Sequence, residues 1–130
     1  MIVVDASAML EVLLRTPAAS RVEKRLFSSG ESLHAPHLLD VEVAQVLRRN
    51  VLAGTMAADR GREALEVLAD LHLTRHSHTP FLGRIWQLRH NVTAYDAAYL
   101  ALAEALPATL VTRDARLSSV RGLAASVEVV

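Results

Sequence analysis

The sequence predicts a three-layer α/β fold: a short central parallel β-sheet flanked by helices, in one domain spanning residues 1–130. Two observations predict it. Short apolar, β-branched runs alternate with longer segments of helical periodicity, the pattern of a parallel sheet covered on both faces. The chain is also 52% hydrophobic over 130 residues, enough to bury a sizeable core, with no internal repeat and no linker dividing it.

The elements follow in order. Residues 1–4 form a β-branched run that stops at Asp5 and predict the first strand. Ser7 is a candidate N-cap for a helix through Arg15, with Met9, Leu10, Leu13 and Leu14 at helical spacing. Thr16-Pro17 reads as a second cap with Pro at the first helical position, and Gly30 as the stop. Residues 33–36 predict a second strand. A third helix spans 37–53, with Leu39, Val43, Val46 and Leu47 on one stripe and Gly54 closing it. A fourth runs from 56 to about 71, with Glu63, Glu66 and Asp70 on its wet side. Residues 73–76 make a third strand, and Thr79-Pro80 opens a helix through Arg89. The Ala/Leu-rich segment 93–106 is the clearest helix, with the capping signature Thr93-x-x-Asp96. A strand at 109–112, a helical turn at 115–119 and a last strand at 126–130 complete the chain.

Composition removes several classes of function. Without cysteine there is no disulfide, thiolate metal site or Cys nucleophile. No Gly-rich phosphate loop is present, which excludes nucleoside-triphosphate hydrolysis of the P-loop kind. No apolar run reaches 18 residues, and the first residues read as a strand rather than a signal peptide, so no membrane span and a cytosolic location are expected. The formal net charge is zero, so binding to nucleic acid must come from a local patch. Every cation except Lys24 is Arg, the better bidentate phosphate ligand. An apolar content above the usual range also suggests an oligomer.

Nine of the 14 carboxylates (Glu11, Glu23, Glu31, Asp59, Glu63, Glu66, Asp70, Glu104 and Glu128) lie where solvated surface charge is expected. Four others interrupt apolar patterns. Asp5 ends the first strand, and Asp114 lies just past Leu110-Val111-Thr112-Arg113, at strand ends where α/β sites are built. Glu42 borders the buried stripe of its helix, and Asp96 opens an otherwise apolar one. Asp40, about 200° around the helix from Glu42, faces elsewhere. Taken singly, each of the four has an ordinary explanation as a strand terminus, cap or rim residue. Together at the mouth of a parallel sheet they would repel unless protonated or bridged by a cation, and oxygen ligands suit Mg²⁺ or Mn²⁺. His72 and His76 have metal-ligand spacing only on a helix, which Thr74 and Pro80 argue against, so no histidine site is expected there. Leu82, Ile85, Trp86 and Leu88 are expected in a core or interface.

Four stretches, in order and spanning essentially the whole chain, resemble the PIN-domain ribonucleases, specifically the VapC-type toxins of bacterial toxin–antitoxin pairs. They are Ile2-Val3-Val4-Asp5-Ala6-Ser7, then Ala35-Pro36-His37-Leu38 leading to Glu42-Val43-Ala44-Gln45, then Tyr95-Asp96-Ala97-Ala98-Tyr99-Leu100-Ala101-Leu102-Ala103, and Leu110-Val111-Thr112-Arg113-Asp114-Ala115-Arg116-Leu117. The resemblance implies a PIN-like fold and an RNA-cleaving site in which Asp5, Glu42, Asp96 and Asp114 hold one or two Mg²⁺ or Mn²⁺ ions. It also implies that Ser7 and Thr112 orient carboxylates or touch phosphate. Gln45 stands where the family commonly has Asn, and no carboxylate follows Asp114 closely, which leaves a second ion thinly liganded. The resemblance further implies a VapB-like antitoxin partner and a homodimer. Phosphodiester hydrolysis by a metal-activated water leaves a 5′-phosphate and a 3′-hydroxyl.

Arg113, Arg116 and Arg89 are candidate RNA contacts, with His90 and Arg15 as further cations near the cluster. Tyr95 is placed to stack on a base, while Tyr99 reads as core. Three rival readings stand beside this one. An aspartyl-phosphate receiver or phosphatase needs a late Lys, or Asp-x-Asp, and Lys24 and Asp5-Ala6-Ser7 supply neither. An inactive binding module has no reason to keep four mutually repelling carboxylates. A PIN nuclease of RNA processing, outside toxin–antitoxin systems, shares the same site.

Overall fold

The computed structural model describes residues 1–28 and 30–130. Its centre is a five-stranded sheet of β1 (Ile2–Val4), β2 (Leu33–Pro36), β3 (Leu73–His76), β4 (Thr109–Thr112) and β5 (Ser126–Val129). The spatial order is β3-β2-β1-β4-β5, and every pairing is parallel. Ile2, Val3 and Val4 are all fully buried, and because successive side chains point to opposite faces, the sheet is covered on both sides at its middle strand. The order of strands reverses at β1, so the crevice between the carboxyl ends of β1 and β4 is the topological switch point where such sheets bind ligands.

Six α-helices flank the sheet among the described residues. In α1 (Ala6–Leu13) the N-cap is Asp5, not the expected Ser7: an Asp5 carboxylate oxygen accepts from the Ser7 amide at 3.3 Å. Arg15 at φ +50 ends the run. The expected cap at Thr16-Pro17 does not form, because the Thr16 hydroxyl turns back onto the Glu11 carboxylate. The chain therefore makes a turn first, closed by the Ala19 amide on the Thr16 carbonyl at 3.0 Å, and α2 (Ala19–Phe27) starts later. It stops before Gly30, which has a φ of +70.

α3 (Leu38–Leu52) and α4 (Ala58–Asp70) agree with the periodicity to within two residues. The segment expected to be one helix from Thr79 splits into a 3₁₀ turn (Thr79–Phe81) and a short α5 (Leu82–Gln87), and the Thr79 side chain caps neither. α6 (Ala94–Ala105) has Thr93 as its N-cap and an unbroken buried run from Ala97 to Ala103, as a helix laid across β1, β2 and β4 requires. A second 3₁₀ turn (Ala115–Ser119) links β4 to β5. Among the described residues, no helix is long and apolar enough to cross a membrane.

Several carboxylates expected on the solvated surface are instead bound; Glu31 and Glu128, for example, meet Arg25 at 3.2 and 2.7 Å. Glu104 is forked by Arg84 at 2.8 and 2.9 Å, and Glu11 meets Arg113 at 3.3 Å. Asp40 faces away from Glu42 as expected, forked by Arg75 at 2.7 and 3.0 Å. Of the apolar group on and after α5, Leu88 is buried, whereas Leu82 and Trp86 are exposed, which favours interface over core for those two.

Candidate active site

The fold draws the four carboxylates from four separate segments. Asp5 follows β1 and caps α1; Glu42 lies on the second turn of α3, which leaves β2 directly. Asp96 stands in the first turn of α6, and Asp114 follows β4 and caps the 3₁₀ turn after it. All four line one cavity of about 490 Å³ at the switch point, together with Ser7, Gln45, Arg49 and Tyr95.

Each carboxylate is held differently. Asp5, only 8% exposed, accepts from the Ser7 hydroxyl at 3.0 Å and the Thr112 hydroxyl at 2.5 Å on one oxygen. Ser7 and Thr112 are themselves pinned, accepting from the Arg113 and Asp114 amides at 3.0 Å each. This lattice stitches the end of β1 to the end of β4. Glu42 accepts from the Tyr99 hydroxyl at 2.7 Å, a bond to a ring that is otherwise core. Thr93 caps α6 by accepting from the Asp96 amide at 3.2 Å. The reciprocal half of a capping box, from the Thr93 amide to the Asp96 carboxylate, is absent among the described residues, so that carboxylate faces the cavity instead of serving the cap. Asp114 is forked by Arg116, with contacts of 2.6, 2.9 and 3.2 Å.

The electrostatics follow from this geometry. Burial pushes the Glu42 carboxyl above the usual range, the Tyr99 bond pulls it part of the way back, and the charges of Asp5 and Asp96 push it up again. Burial also raises Asp96, reinforced by Asp5 and Asp114 and opposed by Thr93 and Arg116. Asp114 moves the other way, held down by its Arg116 partner. Glu42 and Asp96, raised in part by their neighbours' charge, are donors that a divalent cation would relieve, and in kind (oxygen only) the four carboxylates fit a hard ion. They share a cavity without closing on one point: among the described residues no three acidic or imidazole groups form a ready-made cation cage.

The remaining expectations divide. Gln45 lines the cavity, exposed. Arg113 does not reach it, because its guanidinium is taken by Glu11 and by the Val130 carbonyl. Arg116 and Arg89 line an adjoining cleft described below. His76 meets His34 across the strands at 2.9 Å, ring nitrogen to ring nitrogen. Tyr95 is exposed on the cavity rim and Tyr99 is buried, as expected. Two residues were missed. Arg49 lies seven residues after Glu42, two turns along the same face, a spacing that could have found it. The hydroxyl of Tyr99 could not have been matched to Glu42, which lies 57 residues away.

Residues 2–123 match the model of the PIN domain. The chain is 43% identical over 129 residues to "Ribonuclease VapC1" of Mycobacterium tuberculosis, covering 98% of this chain and 96% of the relative. It is 48% identical over 118 residues to "Ribonuclease VapC9" of the same organism, covering 91% and 89%. Among solved structures it resembles a chain of VapBC2 from Rickettsia felis, crystallised with a DNA fragment from its promoter, with a TM-score of 0.70, 14% identity and 98% of both chains covered.

Proposed function

The chain belongs to the PIN-domain family, and from that premise we propose that it is a divalent-metal-dependent endoribonuclease, the toxin of a toxin–antitoxin pair. The observation that carries this reading is the convergence of Asp5, Glu42, Asp96 and Asp114 on one cavity at the switch point of the sheet, with Glu42 and Asp96 strained by their neighbours' charge. The names of the VapC relatives supply the reaction class, and the VapBC2 complex supplies the kind of partner, a VapB-like antitoxin that silences the site.

In this reading the four carboxylates hold Mg²⁺ or Mn²⁺. The ion, when bound, activates a water and neutralises charge growing on the scissile phosphate. The rest of the work belongs to the chain. Ser7 and Thr112 fix the Asp5 carboxylate so that it does not rotate away, and Tyr99 fixes Glu42. Arg49 places a cation on the cavity wall, where an RNA phosphate would lie. The products carry a 5′-phosphate and a 3′-hydroxyl. A homodimer belongs to the same proposal: Val41 and Leu82 are large apolar side chains left exposed on one apolar groove, and a second copy would cover them. A cytosolic site of action accompanies the reading.

The test is cleavage of total RNA by wild type and Asp96→Asn, each with Mg²⁺, Mn²⁺ or EDTA, with the cut ends mapped. Metal-dependent cleavage lost in the variant is the expected result. Equal cleavage by both proteins, or ends bearing a 2′,3′-cyclic phosphate, would overturn it.

A further inference from the structure

A second polar cleft, of about 510 Å³, adjoins the acidic cavity and shares Asp96 with it. One wall is the α5–α6 connection, with Arg89, His90, Asn91 and Thr93; the other is the 3₁₀ turn after β4, with Arg116. We propose that this cleft is the track of the RNA backbone as it leaves the acidic site, and that Arg89 and Arg116 grip the phosphate next to the scissile one.

Four observations carry the inference, which rests on the nuclease reading of the neighbouring cavity. The chain has no net charge, so a polyanion can be held only where cations are gathered locally, and this cleft brings together two Arg and a His. Among the described residues no carboxylate pairs with Arg89. Its guanidinium instead lies 4.7 Å over the Trp86 ring, and it donates to the Trp86 carbonyl at 3.0 Å. A cation stacked on an exposed indole is already held in place, so gripping a phosphate immobilises little more. Arg116 is largely exposed while it forks Asp114, so its guanidinium is water-screened and open to exchange for a phosphate oxygen. Finally, Asp96 lines both spaces, so the cleft adjoins the acidic cavity, on the side where the neighbouring phosphate of a strand bound there would enter it.

The probe is a fluorescein-labelled single-stranded RNA of twelve mixed nucleotides, bound in EDTA so that it is not cut, and read by anisotropy across a salt series. Arg89→Ala and Arg116→Ala should each weaken binding about three- to tenfold and flatten the dependence of log Kd on log salt by about 0.7. Arg89→Lys should recover the salt slope but not all of the affinity, because Lys keeps the charge and loses the flat stack on Trp86. Arg62→Ala, on the exposed face of α4, should match wild type. In cleavage with Mg²⁺, Arg89→Ala should raise KM and leave kcat close to wild type.

The proposal falls if Arg89→Ala and Arg116→Ala bind within twofold of wild type at unchanged slope. It also falls if a twelve-residue polyglutamate peptide binds as tightly and is weakened by the same variants, for then the cleft reads negative charge and suits an acidic protein segment. If Asp96→Asn abolishes cleavage while Arg89→Ala keeps wild-type KM, the track is wrong and the nuclease reading stands. If wild type neither binds nor cuts RNA, both are wrong.

Discussion

Replacing Tyr99 by Phe isolates the bond that ties the core to the acidic cavity. The change removes one oxygen from a side chain that is 1% exposed and leaves its packing intact. It also removes the 2.7 Å bond donated to Glu42, a half-buried carboxylate already raised in pKa by burial and by Asp5 and Asp96. A hydrogen bond to a charged group is worth about 1.5–3 kcal/mol, whereas the drier Phe ring returns only part of that, so the loss should win. Glu42 has one escape: stripped of its donor, it takes up a proton more readily, which limits the cost to the lower part of that range. The expected drop in Tm is roughly 5–10 °C for a chain of this size.

The assay is urea unfolding of wild type, Tyr99→Phe, Glu42→Gln and the double variant, in EDTA at pH 7 and pH 4. At pH 7 the coupling between the two sites should exceed about 0.5 kcal/mol. At pH 4 it should shrink, because a protonated Glu42 is a weaker acceptor and no longer needs a charge-stabilising donor. Slopes in urea should be unchanged. A coupling within about 0.3 kcal/mol of zero at pH 7, or the same coupling at both pH values, would refute the reasoning.

The other predictions follow from the same charges. Glu42 and Asp96 have folded-state pKa values above their unfolded ones, so the folded protein binds protons more tightly and their contribution falls as pH rises through the raised values. Asp96→Asn in EDTA should therefore be as stable as wild type or more so at pH 7, with the advantage fading on acidification; a variant less stable at pH 7 by denaturant melt would contradict this. Asp5→Asn should instead lose about 1–3 kcal/mol in the same melt, since its single amide oxygen can replace only one of the two Asp5 acceptors, leaving either the Ser7 and Thr112 hydroxyls or the Ser7 amide facing an NH2; unchanged stability would show that the lattice is not needed. Saturating Mg²⁺ should raise the Tm of wild type and not that of the Asp5→Asn/Asp96→Asn double variant, and an equal rise in both would place the ion elsewhere.

Much of this architecture is legible in the sequence because the informative signals are local. The strands at residues 2–4, 33–36 and 109–112 are short β-branched or apolar runs, and nothing else competes for that pattern. Asp5, Glu42, Asp96 and Asp114 stand out for a related reason: each is a charge set into an apolar stretch, and only a site or a cap tolerates one there. What the sequence hides depends on which side chains meet in the folded chain, near or far along it. Thr16 fails as a cap because Glu11 captures its hydroxyl. Arg113 and Arg116 look alike beside Asp114, yet Arg113 is claimed by Glu11 and the Val130 carbonyl while Arg116 remains exposed. Tyr99 reads correctly as core, but its hydroxyl is a matter of tertiary geometry.

The four carboxylates are not equivalent, and repulsion alone does not describe them. Read only as a charge cluster, each should gain stability when neutralised. The structure separates them by what each gives to the fold. Asp5 caps α1, and through Ser7 and Thr112 it joins β1 to β4 at the switch point, so its charge is matched by donors and the crevice depends on it. Asp114 is matched by an exchangeable Arg116. Glu42 has one donor, and Asp96 has the opposition of Thr93 and Arg116 outweighed by burial and by two neighbouring carboxylates. The strain of the site is therefore concentrated on α3 and α6, whose side chains face each other across the cavity, and not on the strand ends that frame it. A cation entering there would relieve Glu42 and Asp96 most, while Asp5 would already be held in place to receive it. That division, with one carboxylate built into the frame and two left unsatisfied, is why neutralising Asp5 and neutralising Asp96 should move stability in opposite directions while both abolish cleavage.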